Sequence, residues 1–300
     1  MNYLRPKGFD RFRSKLPFLA GKRIAILPVF FLTVVSAAFL MYIFFDSLPG
    51  ILQPTGVNEV LLAFCPFFGV LTVGIVGFIL VYQMWFWRDR LKAKYGPTSY
   101  QRIVPFGFWG VSWIITISFQ QFMAFYQFSP TFWATSSLSF LAKPIDTLTG
   151  TWAPAILFLK ISLSVLFLIV GVLMIVRALQ VFGFDYITVV YLYFPEEGEL
   201  QEHEIFSVIR NPTYSGVLFV GLAGTFFTLT VFSFVFFALL LIGFYFHVYL
   251  VEERELIRRF GESYLEYRKQ VPAFFARPRN LRKLFRFLFR SSKATTAENN

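Results

Sequence analysis

The chain is poor in the side chains on which most soluble chemistry depends. Among 300 residues there are 1 Cys and 2 His, and only 15% of positions are charged. With Cys65 alone in an apolar run, neither a disulfide within the chain nor a thiolate metal cluster can form. His203 and His247 have no second His or carboxylate at ligand spacing, so no metal site is expected. His203 reads as a loop residue and His247 as a packed one. No phosphate loop, nucleotide-fold glycine pattern or Ser-His-Asp order stands out. Nothing resembles a cleaved signal peptide, and no internal repeat is evident.

Apolar residues are present in excess. They make up 56% of the chain, and aromatics alone 21% with 42 Phe. They come in long blocks, and the mean hydropathy is +0.61. An aqueous core cannot absorb so much Phe, so the composition predicts an all-α, polytopic transmembrane bundle. The net charge of +11 sits in clusters beside apolar spans. That placement fits membrane orientation and anionic headgroups, and it argues against nucleic acid as a partner.

The order of blocks and charges predicts about six spans with both termini in the cytoplasm. Residues 1–23 are a basic segment with seven Lys or Arg against Asp10. Residues 24–150 carry spans over Ile24–Phe45, Val60–Trp87 and Ile103–Phe128, with no legible role. Between them Arg88, Arg90, Lys92, Lys94 and Arg102 mark a cytoplasmic loop, while the weakly charged loop 129–152 should lie outside. A fourth span covers Ala153–Val176, and Lys160 in its outer third is expected to snorkel to the interface. Phe182–Tyr186 reads as a break, Ile187–Phe194 as an element too short to span, and Pro195–Gly198 as a turn.

Gly216–Leu250 is an apolar block of 35 residues. As one helix it would run about 52 Å, far beyond a hydrocarbon core of about 30 Å. Two helices of about 17 residues, turning near Thr225, Thr228 and Thr230, satisfy both length and charge. Residues 151–278 thus form a core that ends in a helical hairpin. Residues 279–300 read as a basic amphipathic helix at the membrane surface, with Arg282, Arg286 and Arg290 at four-residue spacing, followed by a disordered polar tail.

Polar signatures flank the hairpin. Asn211-Pro212 is a turn, and Pro212 can open a helix whose free N–H groups could bind a carboxylate. Gly216 would let a bulky ligand approach the backbone. An ordinary helix cap beneath a loop accounts for the same residues. At the other end, Glu252 and Glu253 are adjacent carboxylates at a membrane exit, costly unless paired or ligand-bound. They suit a ligand with hydroxyls, an ammonium and a positive charge, though a solvated face would also carry them. Leu256, Phe260, Tyr264 and Tyr267 fall at helical spacing as packing residues, and Gly261 ends or kinks their helix.

Arg210-Asn211-Pro212-Thr213-Tyr214-Ser215-Gly216 resembles the R-H-P-x-Y-x-G motif of a membrane methyltransferase superfamily. That superfamily includes isoprenylcysteine carboxyl methyltransferases and phospholipid N-methyltransferases. Its partner motif is matched by Glu252-Glu253-Arg254-Glu255-Leu256, then Phe260-Gly261, Tyr264, Tyr267 and Val271-Pro272. The resemblance implies S-adenosylmethionine as cofactor and a lipid or lipid-modified acceptor, either a phospholipid amine or an isoprenylcysteine carboxylate. It implies a cofactor pocket at the cytoplasmic face from Arg210, Asn211, Pro212, Tyr214, Gly216, Glu252 and Glu253. Arg254 would orient an acceptor carboxylate, or Glu252 would take a proton from an amine. Asn211 stands where the family has His and cannot take up a proton near neutral pH. Two other readings remain open: an NADPH-dependent reductase of sterol-reductase type, which shares the closing Gly-x-x-Tyr-x-x-Tyr element, and a non-catalytic membrane scaffold.

Overall fold

The computed structural model describes residues 7–16, 26–123, 130–148, 150–195 and 200–289. These residues form helices and turns, with no strand among them. The principal helices are α1 (Phe9–Ser14), α2 (Ile26–Tyr42), α3 (Cys65–Phe86), α4 (Arg88–Tyr95), α5 (Ser99–Met123), α6 (Ala153–Phe182), α7 (Pro212–Thr228), α8 (Val231–His247), α9 (Glu253–Phe260), α10 (Glu262–Gln270) and α11 (Leu281–Phe289). Five helical stretches are long and apolar enough to cross a membrane: Phe31–Thr55, Cys65–Phe86, Arg88–Phe119, Ala153–Phe182 and Val231–Phe260. This is an integral membrane helix bundle.

Helix boundaries follow local chemistry. The expected span from Val60 divides at Phe64, because Pro66 lacks an N–H and opens α3 at its first turn. The fourth span runs past Val176 to Phe182 and stops at Gly183, whose φ of 100° suits glycine alone. Two four-residue helices follow, Phe184–Ile187 and Val190–Tyr193, too short to span as expected. The predicted turn at Pro195–Gly198 and the polar tail Ser291–Asn300 fall on or run into positions outside the described residues.

The apolar block is a hairpin. Its arms α7 and α8 have 17 residues each. Leu229 adopts left-handed backbone at the corner. Thr230 and Ser233 then exchange side-chain and backbone hydrogen bonds in a capping box that starts α8. At about 25 Å, α7 is slightly short of a hydrocarbon core. It is the inner helix of the bundle, with 11 of its 17 residues buried. It packs on α5, α6 and α8. Against α6 the backbones touch: a Cβ added at Gly216 would lie 2.8 Å from the Gly171 carbonyl oxygen and 3.1 Å from the Ile175 nitrogen.

Some expectations are corrected. Lys160 does not reach the surface. It is buried in the stripe of α6 that also carries Ser164, Gly171 and Met174, because that stripe faces the bundle. The expected basic amphipathic helix is present as α11, and part of its apolar face packs on the bundle. Leu284 and Leu288 are buried against α6 and the 205–209 segment, and Arg177 Nε donates to the Leu288 carbonyl at 3.2 Å. Leu281, Phe285 and Phe289 form its exposed apolar edge. The described part of the basic N-terminal segment, residues 7–16, docks on the bundle: Phe12 and Leu16 are buried against the Val190–Tyr193 helix and α5, and Arg11 pairs with Asp185 at 3.0 Å.

Candidate active site

Two ladders of contact join the ends of the hairpin. The backbone N–H groups of Arg210 and Asn211 donate to the carbonyls of Pro272 and Ala273 at 2.9 and 3.1 Å. This pairing sets the chain entering α7 beside the Val271-Pro272 turn. The Arg210 guanidinium reaches inward from there. It donates to the carbonyls of Arg268 (2.7 Å) and Val271 (2.9 Å), and to Glu253 Oε1 at 2.5 Å. Glu253 is 1% exposed and its second oxygen lies 3.1 Å from Arg268 Nε. Two arginines thus neutralise one buried carboxylate, which makes its burial affordable.

Glu252, one residue earlier, has different company. Its Oε1 accepts from the Tyr214 hydroxyl at 2.5 Å and lies 3.4 Å from His247 Nε2. Among the described residues no Arg or Lys pairs with it. A π-helical turn over Val248–Glu252 produces this arrangement. Residues five apart share a face only in π geometry, so His247 and Glu252 come onto one side. His247 is otherwise enclosed by rings: Trp85 at 5.4 Å, Phe78 at 6.0 Å and Tyr214 at 6.0 Å between centroids.

The residues expected in the site divide by position. Tyr214 and Glu252, and Arg210 and Glu253, are brought together. Asn211 Nδ2 donates to the Ala273 carbonyl at 3.4 Å and Ser215 Oγ returns to the Asn211 carbonyl, so this side chain holds the corner. Pro212 is the first residue of α7, as expected. Gly216 is a correction: the space beside it is filled by Gly171 and Ile175 of α6, so it serves helix packing and leaves no room for a ligand. Arg254 is exposed and has no ion pair among the described residues, so nothing draws it into the cluster.

Residues that sequence reasoning passed over complete the site. His247 was read as merely packed. Trp85 and Phe78 come from α3, far outside both signatures. Tyr191 lies under the Arg259 guanidinium at 5.1 Å; burial pushes its phenol above the ordinary range and the Glu252 charge adds to the push. Arg88 ties α4 to α9 through Glu255 at 2.7 Å.

Among the described residues six buried side-chain polar atoms lack a hydrogen-bond partner, and three lie here: Arg210 Nε, His247 Nε2 and Glu253 Oε2, the last already held by its ion pair with Arg268. Buried polar atoms are normally satisfied, so His247 Nε2, whose neighbour at 3.4 Å is Glu252, is the atom a polar ligand would satisfy. A carboxylate without an Arg or Lys partner among the described residues, a phenol and the N-terminus of α7 form a set of polar groups that fits an ammonium, a sulfonium and a carboxylate together. No group of His, Cys, Asp and Glu suited to a metal occurs among the described residues.

Residues 159–263 match a family model described as phospholipid methyltransferase. The matched segment includes both Arg210–Gly216 and Glu252–Gly261, and excludes α3 and α4. No curated protein and no solved structure matches the chain.

Proposed function

We propose that this membrane protein, whose residues 159–263 match a family model described as phospholipid methyltransferase, transfers a methyl group from S-adenosylmethionine to an acceptor on a lipid or lipid-modified molecule. The observation that carries the reading is the meeting of the two signatures, Tyr214 on Glu252 and Arg210 on Glu253. When bound, the cofactor would supply an electrophilic methyl on a sulfonium, a displacement that needs alignment more than acid–base power. Glu252 would hold the cationic part of the cofactor, with Tyr214 fixing the carboxylate. The first turn of α7 would face the cofactor carboxylate. Arg210 acts mainly by holding Glu253 and the 268–271 carbonyls, which keeps the corner rigid.

Of the two acceptor chemistries, the amine is better supported. A carboxylate acceptor would need a cation beside it, and Arg254 stands exposed while Arg210 and Arg268 are committed to Glu253. An amine sheds one proton as it gains a methyl, and His247 Nε2, unpartnered and 3.4 Å from Glu252, is placed to take it. His247 thereby supplies the proton acceptor that Asn211 cannot be.

The test is incorporation of isotopically labelled methyl from S-adenosylmethionine into the lipid extract of vesicles holding the purified protein. Label in an amine-bearing lipid, reduced tenfold or more by His247→Ala, is the expected result. Absence of label from lipid and peptide fractions, with NADPH binding in its place, would transfer the assignment to the reductase reading. Absence of label with neither cofactor bound would leave a scaffold.

A further inference from the structure

A groove of about 420 Å³ runs between α3 and α8. Its walls are almost wholly apolar. It follows α3 from Val70 to Tyr82, about 18 Å at 1.5 Å per residue. At one end it reaches His247, Leu250 and Val251. Both flanking helices belong to stretches that can cross a membrane, so the groove opens on hydrocarbon.

From this geometry we infer that the groove holds the hydrocarbon chain of the acceptor, laying an amphipathic lipid amine along α3 with its head at His247. The inference rests on the methyltransferase reading for the acceptor's identity; the groove itself does not.

Three observations lead there. First, His247 links the groove to the polar cluster: it lines the groove, and its buried Nε2 lies 3.4 Å from Glu252, a carboxylate that no Arg or Lys among the described residues neutralises. A ligand apolar along its length and basic at its tip satisfies both ends. Second, Gly74 keeps the space open on the α3 side, while the room in front of Gly243 on α8 is filled by the Phe78 ring. A Cβ at Gly74 would touch only Ile117 Cδ1, at an ordinary 3.4 Å, so nothing but the groove occupies the room in front of it. Third, the volume lies within the range of roughly 300–1,000 Å³ typical of ligand sites. The wall formed by α3 lies outside the matched segment 159–263, which gives the N-terminal helices a role: they form the acceptor side of a site whose cofactor side is the hairpin.

The experiment uses the full chain in phosphatidylcholine vesicles containing phosphatidylethanolamine with a photoactivatable diazirine in one acyl chain. After irradiation, labelled peptides are mapped by mass spectrometry, and S-adenosylmethionine binding is measured separately by calorimetry. Labelling is expected to concentrate on 65–86 and 231–251. Gly74→Phe should lower it at least fivefold while keeping cofactor affinity within twofold. Ile79→Trp, at the exposed rim of the groove, is a second blocking variant with the same expectation should Gly74→Phe fold poorly. Leu159→Trp, on the membrane-facing side of α6, should leave the labelling unchanged. Labelling spread evenly over all exposed helices, or unaltered in both blocking variants, would overturn the groove assignment even with the cofactor bound. Labelling confined to the groove in a protein that binds no S-adenosylmethionine would uphold the groove and remove the methyltransferase reading.

Discussion

Glu252 and Glu253 are neighbours with opposite surroundings. Glu253 lies between Arg210 and Arg268, its side chain 1% exposed and that of Arg210 4%. Glu252 has a phenol, an imidazole and no Arg or Lys partner among the described residues. The first holds the fold, and under the proposed function the second holds the cofactor. Glu253→Ala would leave Arg210 buried without its counter-charge, a loss of about 3–5 kcal/mol by the usual cost of breaking such a pair. Thermal unfolding in detergent would register it. The adjacent acids were legible in the sequence because two carboxylates at a membrane exit demand an explanation. Which of them is neutralised was not legible, since Arg268 lies 15 residues on, beyond a break at Gly261. His247 was hidden for a geometric reason. Five residues separate it from Glu252, a spacing that an α-helix places on different faces and only the π turn aligns.

At the scale of elements, the hairpin was the most readable feature. Its 35-residue length and the charges beyond it required a turn, and the arms came out at 17 residues each. Gly216 was misread because a glycine near a motif looks the same in sequence whether it faces a ligand or a helix. Here it faces Gly171, and Gly216→Val should wedge α7 from α6. The expected cost is about 1–3 kcal/mol from overpacking, seen as a lowered unfolding midpoint and as weaker cofactor binding. Helix α10 carries a pH signature. Burial pushes the Tyr267 phenol above its ordinary value of 10.0, and its hydroxyl donates to the Phe206 carbonyl at 2.7 Å. A group whose folded value is raised contributes stability that is complete below the unfolded value and lost as pH climbs through the folded one. Stability should therefore decline above about pH 10, and decline less steeply in Tyr267→Phe, as followed by unfolding midpoints against pH.

Over the whole molecule, the family match stops short of the N-terminal helices, yet these helices enclose the site. Trp85 and Phe78 of α3 wall in His247, and Arg88 pairs with Glu255 with side chains 8% and 13% exposed. Hydropathy identified these spans and their polarity pattern, but could not place them against the hairpin, because interhelical contact in a membrane depends on shape and small residues more than on apolar content. Arg88→Ala should loosen α4 from α9 and lower methyl transfer severalfold while leaving lipid labelling of the groove in place, a separation that activity and crosslinking assays would resolve.

On the proposed function, Tyr214 and Glu252 form the cofactor site where the two ends of the hairpin meet. Calorimetric titration of S-adenosylmethionine into the purified protein tests it most directly. Binding should be saturable in the native protein, weakened at least tenfold in Glu252→Gln, and within twofold of native in Arg254→Ala. Native affinity in Glu252→Gln would contradict it.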